Sequence, residues 1–273
     1  MHVSRETLPS GARGGVNQVW QISNGKQYYF VKTHLQQSFS AEVDGLIALQ
    51  DAAVVRIPTI VCHGHAAKTF YLVLEWLSMR CRGNETHLGT HLATLHRIVG
   101  PHFGWHCDNL LGTFRQTNAT CATWCDFWRA HRLLPQLEMA STQPWGATIV
   151  KNGQHLLDQL GPFFDDHHPI PSLLHGDLWH GNVGWLDTDT PVLFDPAVHY
   201  GDRETDLAMT ELFGGFGPSF YSAYQTHYPL QAGYPRRRPL YQLYHVLNHA
   251  NFFGGGYIDH AHHLLMLLLK SIG

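Results

Sequence analysis

The strongest constraint on how this chain can fold is a change in its hydrophobic period near residue 77. Before that point, β-rich runs at 16–22 and 27–32 flank a Ser23-Asn24-Gly25-Lys26 turn, a hairpin signal. Phe39, Val43, Leu46 and Ile47 recur at helical spacing and predict a helix over 40–51, with further strands at 58–61 and 70–76. The order β-β-α-β-β describes a small antiparallel sheet carrying one helix. Beyond residue 77 the 3.6-residue period takes over, at 88–98, 124–137, 153–164, 202–213, 219–226, 239–253 and 258–271. Pro135 is expected to kink or end the second of these helices. Two short β runs, 183–186 and 191–194, bracket an Asp187-Thr188-Asp189-Thr190 turn. The expectation is an α+β protein with a strand-rich lobe (1–77) and a mainly helical lobe (78–273). The chain crosses between them near 75–78 and leaves a cleft.

Charge and composition exclude several functions. Eighteen Lys and Arg against 21 Asp and Glu give a net charge of −3, without the basic excess of a nucleic-acid or anionic-membrane binder. The longest apolar run, 264–269, falls far short of the roughly 20 residues that span a bilayer. The N-terminus lacks the basic-then-apolar order of a secretory signal, so a cytoplasmic location is expected. Five cysteines without a CxxC pair read as reduced thiols. Cys121 and Cys125 are expected to share a helix face without forming a metal site. The 22 histidines include His63/His65, His167/His168 and His260/His262/His263, but no HExxH spacing, so they read as polar surface. Their number predicts a strong positive swing in net charge below about pH 6.5.

The chemistry concentrates in 173–196, LLHGDLWHGNVGWLDTDTPVLFDP. Asp177 is followed five residues later by Asn182, and Asp195 stands thirteen residues beyond that. This is the spacing of kinase-fold phosphotransferases. An aspartate in the first position orients an acceptor hydroxyl and takes its proton; the asparagine and second aspartate offer hard oxygens to Mg²⁺. An Asp–Asn pair in a glycine-rich loop can be ordinary turn chemistry. The apolar lead-in at 170–174 and the paired β runs favour catalysis.

Several longer runs carry a more specific resemblance: HGDLWHGN at 175–182, FDPAVHYGDRETDLAM at 194–209, LFGGF at 212–216 and YQLYHVLNHANFFGGGY at 241–257. From about Leu8 onward the chain resembles the fructosamine/ketosamine kinase family, within the protein-kinase-like, aminoglycoside-phosphotransferase-type superfold. That resemblance implies a bilobal kinase fold using ATP and Mg²⁺ on a small ketosamine or glycated amine. The C3 hydroxyl of a fructosamine or ribulosamine would be phosphorylated, and the 3-phosphate would then break down and free the amine. It implies Lys32 as the α/β-phosphate ligand with Glu42 as its ion-pair partner, and Gly14 and Gly15 in the turn over the phosphates. Backbone groups of Glu75, Trp76 and Leu77 would read adenine, Trp179 and His180 would meet the acceptor, and His175 and Asp206 would support the catalytic loop.

The chain also departs from the family pattern. Val16 stands where many relatives carry a cysteine, so thiol switching at that turn is expected to be absent; His180 replaces a serine. Asp195-Pro196 in place of Asp-Phe-Gly, with no Ala-Pro-Glu segment, argues against a protein kinase. Asp202 and Glu204 are candidates to attract an amine-bearing substrate. The alternatives are a kinase for an aminoglycoside, choline or free sugar, and a non-catalytic nucleotide-binding protein.

Overall fold

The computed structural model describes residues 4–7 and 18–272, so Gly14, Gly15 and Val16 lie outside the described residues. Strands β1 (Ser4–Thr7), β2 (Gln18–Ser23), β3 (Tyr28–His34), β4 (Ile60–Ala66) and β5 (Thr69–Glu75) form one antiparallel sheet in the order β1-β2-β3-β5-β4. Asn24 makes the β2–β3 turn, its Oδ1 accepting from the Lys26 and Gln27 amides at 3.0 and 2.9 Å while Gly25 takes φ +85°. Helix α1 (Ser40–Ala52) follows β3 and buries Val43, Leu46 and Leu49. The edge strand β4 runs five residues past its apolar start through Cys62-His63-Gly64-His65-Ala66. Backbone pairing with β5 holds these polar residues in a strand.

The remainder is mostly helical: α2 (Glu85–Leu95), the hairpin β6 (Asn109–Leu111) and β7 (Phe114–Gln116), α3 (Trp124–Trp128), α4 (Leu134–Ser141) and α5 (Gly146–Asp158). There follow β8 (Ser172–Leu174), the hairpin β9 (Val183–Trp185) and β10 (Pro191–Leu193), and β11 (His199–Gly201), which pairs back onto β8. Helices α6 (Glu204–Leu212), α7 (Pro218–His227), α8 (Tyr234–Phe253) and α9 (Gly256–Ile272) complete it. Among the described residues, no helix is long and apolar enough to cross a membrane.

Three expectations are corrected. Pro135 neither ends nor simply kinks its helix: a π-helical turn, Arg129–Leu133, separates α3 from α4. The wider turn makes room for a residue with no N–H and a ring that would crowd the carbonyl four residues back. Cys121 is not on a helix; it bridges Phe103, and only Cys125 lies on α3. The histidines are not all surface groups, because His96, His167, His175, His199 and His245 are buried. Burial lowers the pKa of His175 and holds that of His199 and His245 down to about 3, so the last two stay neutral in mild acid and the charge swing is smaller.

Two apolar clusters hold the molecule. One lies among α3–α5, α8 and α9. The other joins Leu46 and Leu49 of α1 and Leu72 and Leu74 of β5 to Leu88 and Leu92 of α2, and to Leu178, Val183 and Leu193 around the β9–β10 hairpin. The sheet and the helical part therefore share a core. Backbone bonds reinforce it: Arg80 and Trp185 exchange both of theirs at 2.8 and 3.0 Å, and the Leu193 amide donates to the Arg56 carbonyl at 3.0 Å. A shared core predicts that tryptophan fluorescence and far-ultraviolet dichroism follow one urea transition. Leu46→Ala, at a fully buried position, should lower stability by about 2–5 kcal/mol in both signals together. A shift in only one signal would contradict this.

Candidate active site

Lys32, near the end of β3, is buried, and its Nζ donates to Glu42 Oε1 at 2.8 Å and to Asp195 Oδ1. Burial works against the ammonium charge, but the two carboxylates outweigh it and raise its pKa. Glu42 reaches Lys32 because α1 lies close on the segment after Asp195. A Cβ at Gly45 would stand 3.2 Å from Val198 Cγ2 and 3.3 Å from the Pro196 ring. The lysine thereby ties β3, α1 and the end of the β9–β10 hairpin into one knot.

The loop after β8 begins with His175 and Gly176. Gly176 has φ +82°, and a Cβ there would fall 2.0 Å from the Ala197 carbonyl oxygen, so only glycine fits. The Asp206 carboxylate fixes both residues, accepting from the His175 amide at 2.8 Å and the Gly176 amide at 2.9 Å. His96 Nε2 donates to the same carboxylate at 3.1 Å, and behind it Tyr224 bonds His96 Nδ1 at 2.8 Å and accepts from Arg203 at 2.9 Å. Burial alone would raise the pKa of Asp206; the His96 bond and the loop amides reverse that and hold it low. The His175 ring spans the site. Its Nδ1 accepts from the Asp177 amide at 3.3 Å and its Nε2 donates to the Phe194 carbonyl at 3.1 Å, which fixes a neutral tautomer.

Asn182 ends a short turn (His180–Asn182), and its Nδ2 donates to the Asp177 carbonyl at 2.8 Å and to Asp177 Oδ2 at 3.1 Å. The Phe194 amide returns to the Asn182 carbonyl at 3.2 Å, which brings Asp195 beside Asn182. Asp195 takes φ +56°, a left-handed conformation costing a non-glycine residue about 1–3 kcal/mol. Asp177, Asn182, Asp195, Lys32 and Glu42 are thus linked residue to residue. Burial first, and then the negative charge of Asp195, pushes the Asp177 carboxyl up to about 7 against the pull of the Asn182 bond.

The other predicted site residues divide. Glu75 donates its amide to the Thr59 carbonyl at 2.9 Å and pairs its carboxylate with Arg56, and Trp76 and Leu77 follow it as the crossing backbone. Trp179 packs edge-on against Phe213, with centroids 6.2 Å apart, and Phe213 lies 4.8 Å from the ring of His249. His180 is exposed beside Trp179. Asp202 and Glu204 cannot attract substrate from solvent: both are buried, Asp202 accepting from His167 and Tyr241 and Glu204 holding Arg237 at 2.7 and 2.8 Å. Sequence reasoning missed His96, Tyr224, Phe213 and His249. Phe213 and His249 fall within runs singled out for other reasons, whereas His96 and Tyr224 carry no local signal.

A two-lobed fold with this lysine–glutamate pair and these convergent oxygens defines a protein-kinase-like phosphotransferase. The chain superimposes on the choline kinase of Streptococcus pneumoniae with a TM-score of 0.63 at 13% identity, covering 98% of this chain and 93% of that one, a likeness of fold. A fructosamine kinase family model matches residues 4–271, and the chain belongs to that family. A protein of Synechocystis named "probable ketoamine kinase" is 44% identical over 94% of this chain and 88% of its own length. The chloroplastic protein-ribulosamine 3-kinase of Arabidopsis thaliana is 38% identical over 85% of this chain and 73% of its own. The crystal structure of a "putative fructosamine-3-kinase" from Haemophilus somnus superimposes with a TM-score of 0.89 at 29% identity, covering 97% and 91% of the two chains.

The raised carboxyl has a thermodynamic consequence. An acid whose folded pKa, about 7, exceeds its unfolded value of 3.8 favours folding as pH falls from 7 towards 4, and destabilises the fold where it is ionised. Asp177→Asn should therefore melt above wild type at pH 8, with the gap closing below pH 7. An equal or lower melting temperature at pH 8 would contradict the assigned environment.

Proposed function

We propose that this protein uses MgATP to phosphorylate the C3 hydroxyl of ketosamines, with Asp177 as the catalytic base. The supporting observation is the Asp177 carboxylate itself, braced by Asn182 and raised in pKa by burial and by the charge of Asp195, which in turn pairs with the buried Lys32. A base with a pKa near the working pH accepts the acceptor's proton as the O–P bond forms. The donor set suits Mg²⁺. Asn182 commits its amide nitrogen to Asp177, which leaves Oδ1 as a hard ligand, and the Asp195 carboxylate supplies an anionic one. Bound there with ATP, Mg²⁺ supplies charge neutralisation for the phosphates. Lys32, held by Glu42 and Asp195, turns its remaining N–H to the α/β-phosphates, and the backbone of Glu75, Trp76 and Leu77 reads the adenine. Gly14 and Gly15 are assigned to phosphate binding by the sequence resemblance alone.

On the acceptor side, Trp179 covers the apolar face of the sugar and His180 lies at its rim. His175 and Asp206 hold the loop and touch no substrate. The lobes divide between residues 77 and 78, and the reaction takes place in the cytoplasm on small glycated amines. The names of the related ketoamine and ribulosamine kinases support the acceptor class.

Incubation with MgATP and fructosyl- or ribulosyl-lysine, with ADP release as the readout, tests the reading against choline and aminoglycosides; exclusive turnover of either of the latter would overturn it. Asp177→Asn should lower phosphoryl transfer by about 10²–10⁴-fold while MgATP binding is retained, and full activity would remove Asp177 from its role.

A further inference from the structure

Asp44 of α1 gathers three donors from one short segment of the helical part. Its Oδ2 accepts from Trp105 Nε1 at 2.6 Å and from Cys107 Sγ at 3.6 Å, and its Oδ1 from His106 Nε2 at 2.9 Å. One ligand atom each from Asp44, His106 and Cys107 lies within 4.8 Å of the others. Around a tetrahedral ion bound at roughly 2.0–2.3 Å, neighbouring oxygen, nitrogen and sulfur ligands stand about 3–4 Å apart, so little movement would seat one. The three ligand types, carboxylate, imidazole and thiol, suit a zinc-class ion rather than Mg²⁺ or Ca²⁺. We propose that Asp44, His106 and Cys107 form a binding site for a thiophilic divalent transition metal, with water as the fourth ligand.

The protons balance. The Cys107 thiol, whose pKa is pushed up to about 11 by burial and by Asp44, loses one proton to solvent when metal binds. The His106 proton shifts from Nε2 to Nδ1 on a side chain 64% exposed. Carboxylate and thiolate then balance the two positive charges of the ion. Trp105 keeps its bond to Asp44 and orients that ligand from behind.

The other His/Asp/Glu group among the described residues, His167 with Asp202 and Glu204, offers no such opening. Arg237 and Tyr241 already occupy its carboxylates. Asp44 stands two residues after Glu42, the partner of Lys32, so metal bound here pins α1 to the helical part beside the nucleotide-site ion pair.

Titration of reduced, untagged, metal-free protein with Co²⁺ tests the site. One equivalent should bind with a thiolate-to-cobalt charge-transfer band. Cys107→Ser should lose the band, while Cys121→Ser should keep it. Trp105→Phe should weaken binding by about 10–100-fold. Zn²⁺ should raise the melting temperature of wild type but not of His106→Ala, an exposed position whose substitution decides the matter if Cys107→Ser does not fold. Absence of a thiolate band, its survival in Cys107→Ser, or an equal Zn²⁺ shift in His106→Ala would overturn the proposal.

Discussion

A buried carboxylate on α6 holds the loop that carries the chemistry. Asp206 accepts both amides of the His175-Gly176 turn and the ring N–H of His96, so its charge is satisfied without water. The turn itself has Gly176 at positive φ, its Cα packed against the Ala197 carbonyl. From Asp206 the bonds run back through His96 and Tyr224 to Arg203, anchoring the loop to α2 and α7. The placement of Asp177, and through Asn182 that of Asp195, rests on this one group.

The second constraint is the lysine knot and the core beneath it. Lys32 links β3 to Glu42 on α1 and to Asp195 after β10, while Leu46 and Leu49 of the same helix pack with Leu178 and Leu193. Helix α1 thus belongs to both parts of the molecule. Its charge pairing, its packing and its Asp44 contacts all depend on one orientation.

The local elements were legible because their signals are local: the Asn24-Gly25 turn, the apolar stripe of α1, and the Asp187–Thr190 turn between β9 and β10. The β8–β11 pairing was not. Its strands are three residues long, mix polar and apolar residues in a mostly buried setting, and are separated by a site loop and a hairpin, so no period marks them. The spacing of Asp177, Asn182 and Asp195 was visible because one hairpin joins them. Reading Asp202 and Glu204 as substrate-facing failed because charge in a sequence says nothing of burial; His167, Tyr241 and Arg237 become their partners only in the fold. The same blindness hid His96, and it hid the meeting of Asp44 with His106 and Cys107 some sixty residues away.

The proposed chemistry rests on the same geometry, a carboxyl raised to about 7 by burial and by the charge of Asp195, and braced by Asn182. The most direct test is the position of the phosphate on the product, read by phosphorus and carbon NMR after reaction of fructosyl-lysine with MgATP. The account predicts a phosphate ester on the sugar C3 oxygen. Phosphate on the amine or on another carbon, or no transfer to any ketosamine, would contradict it.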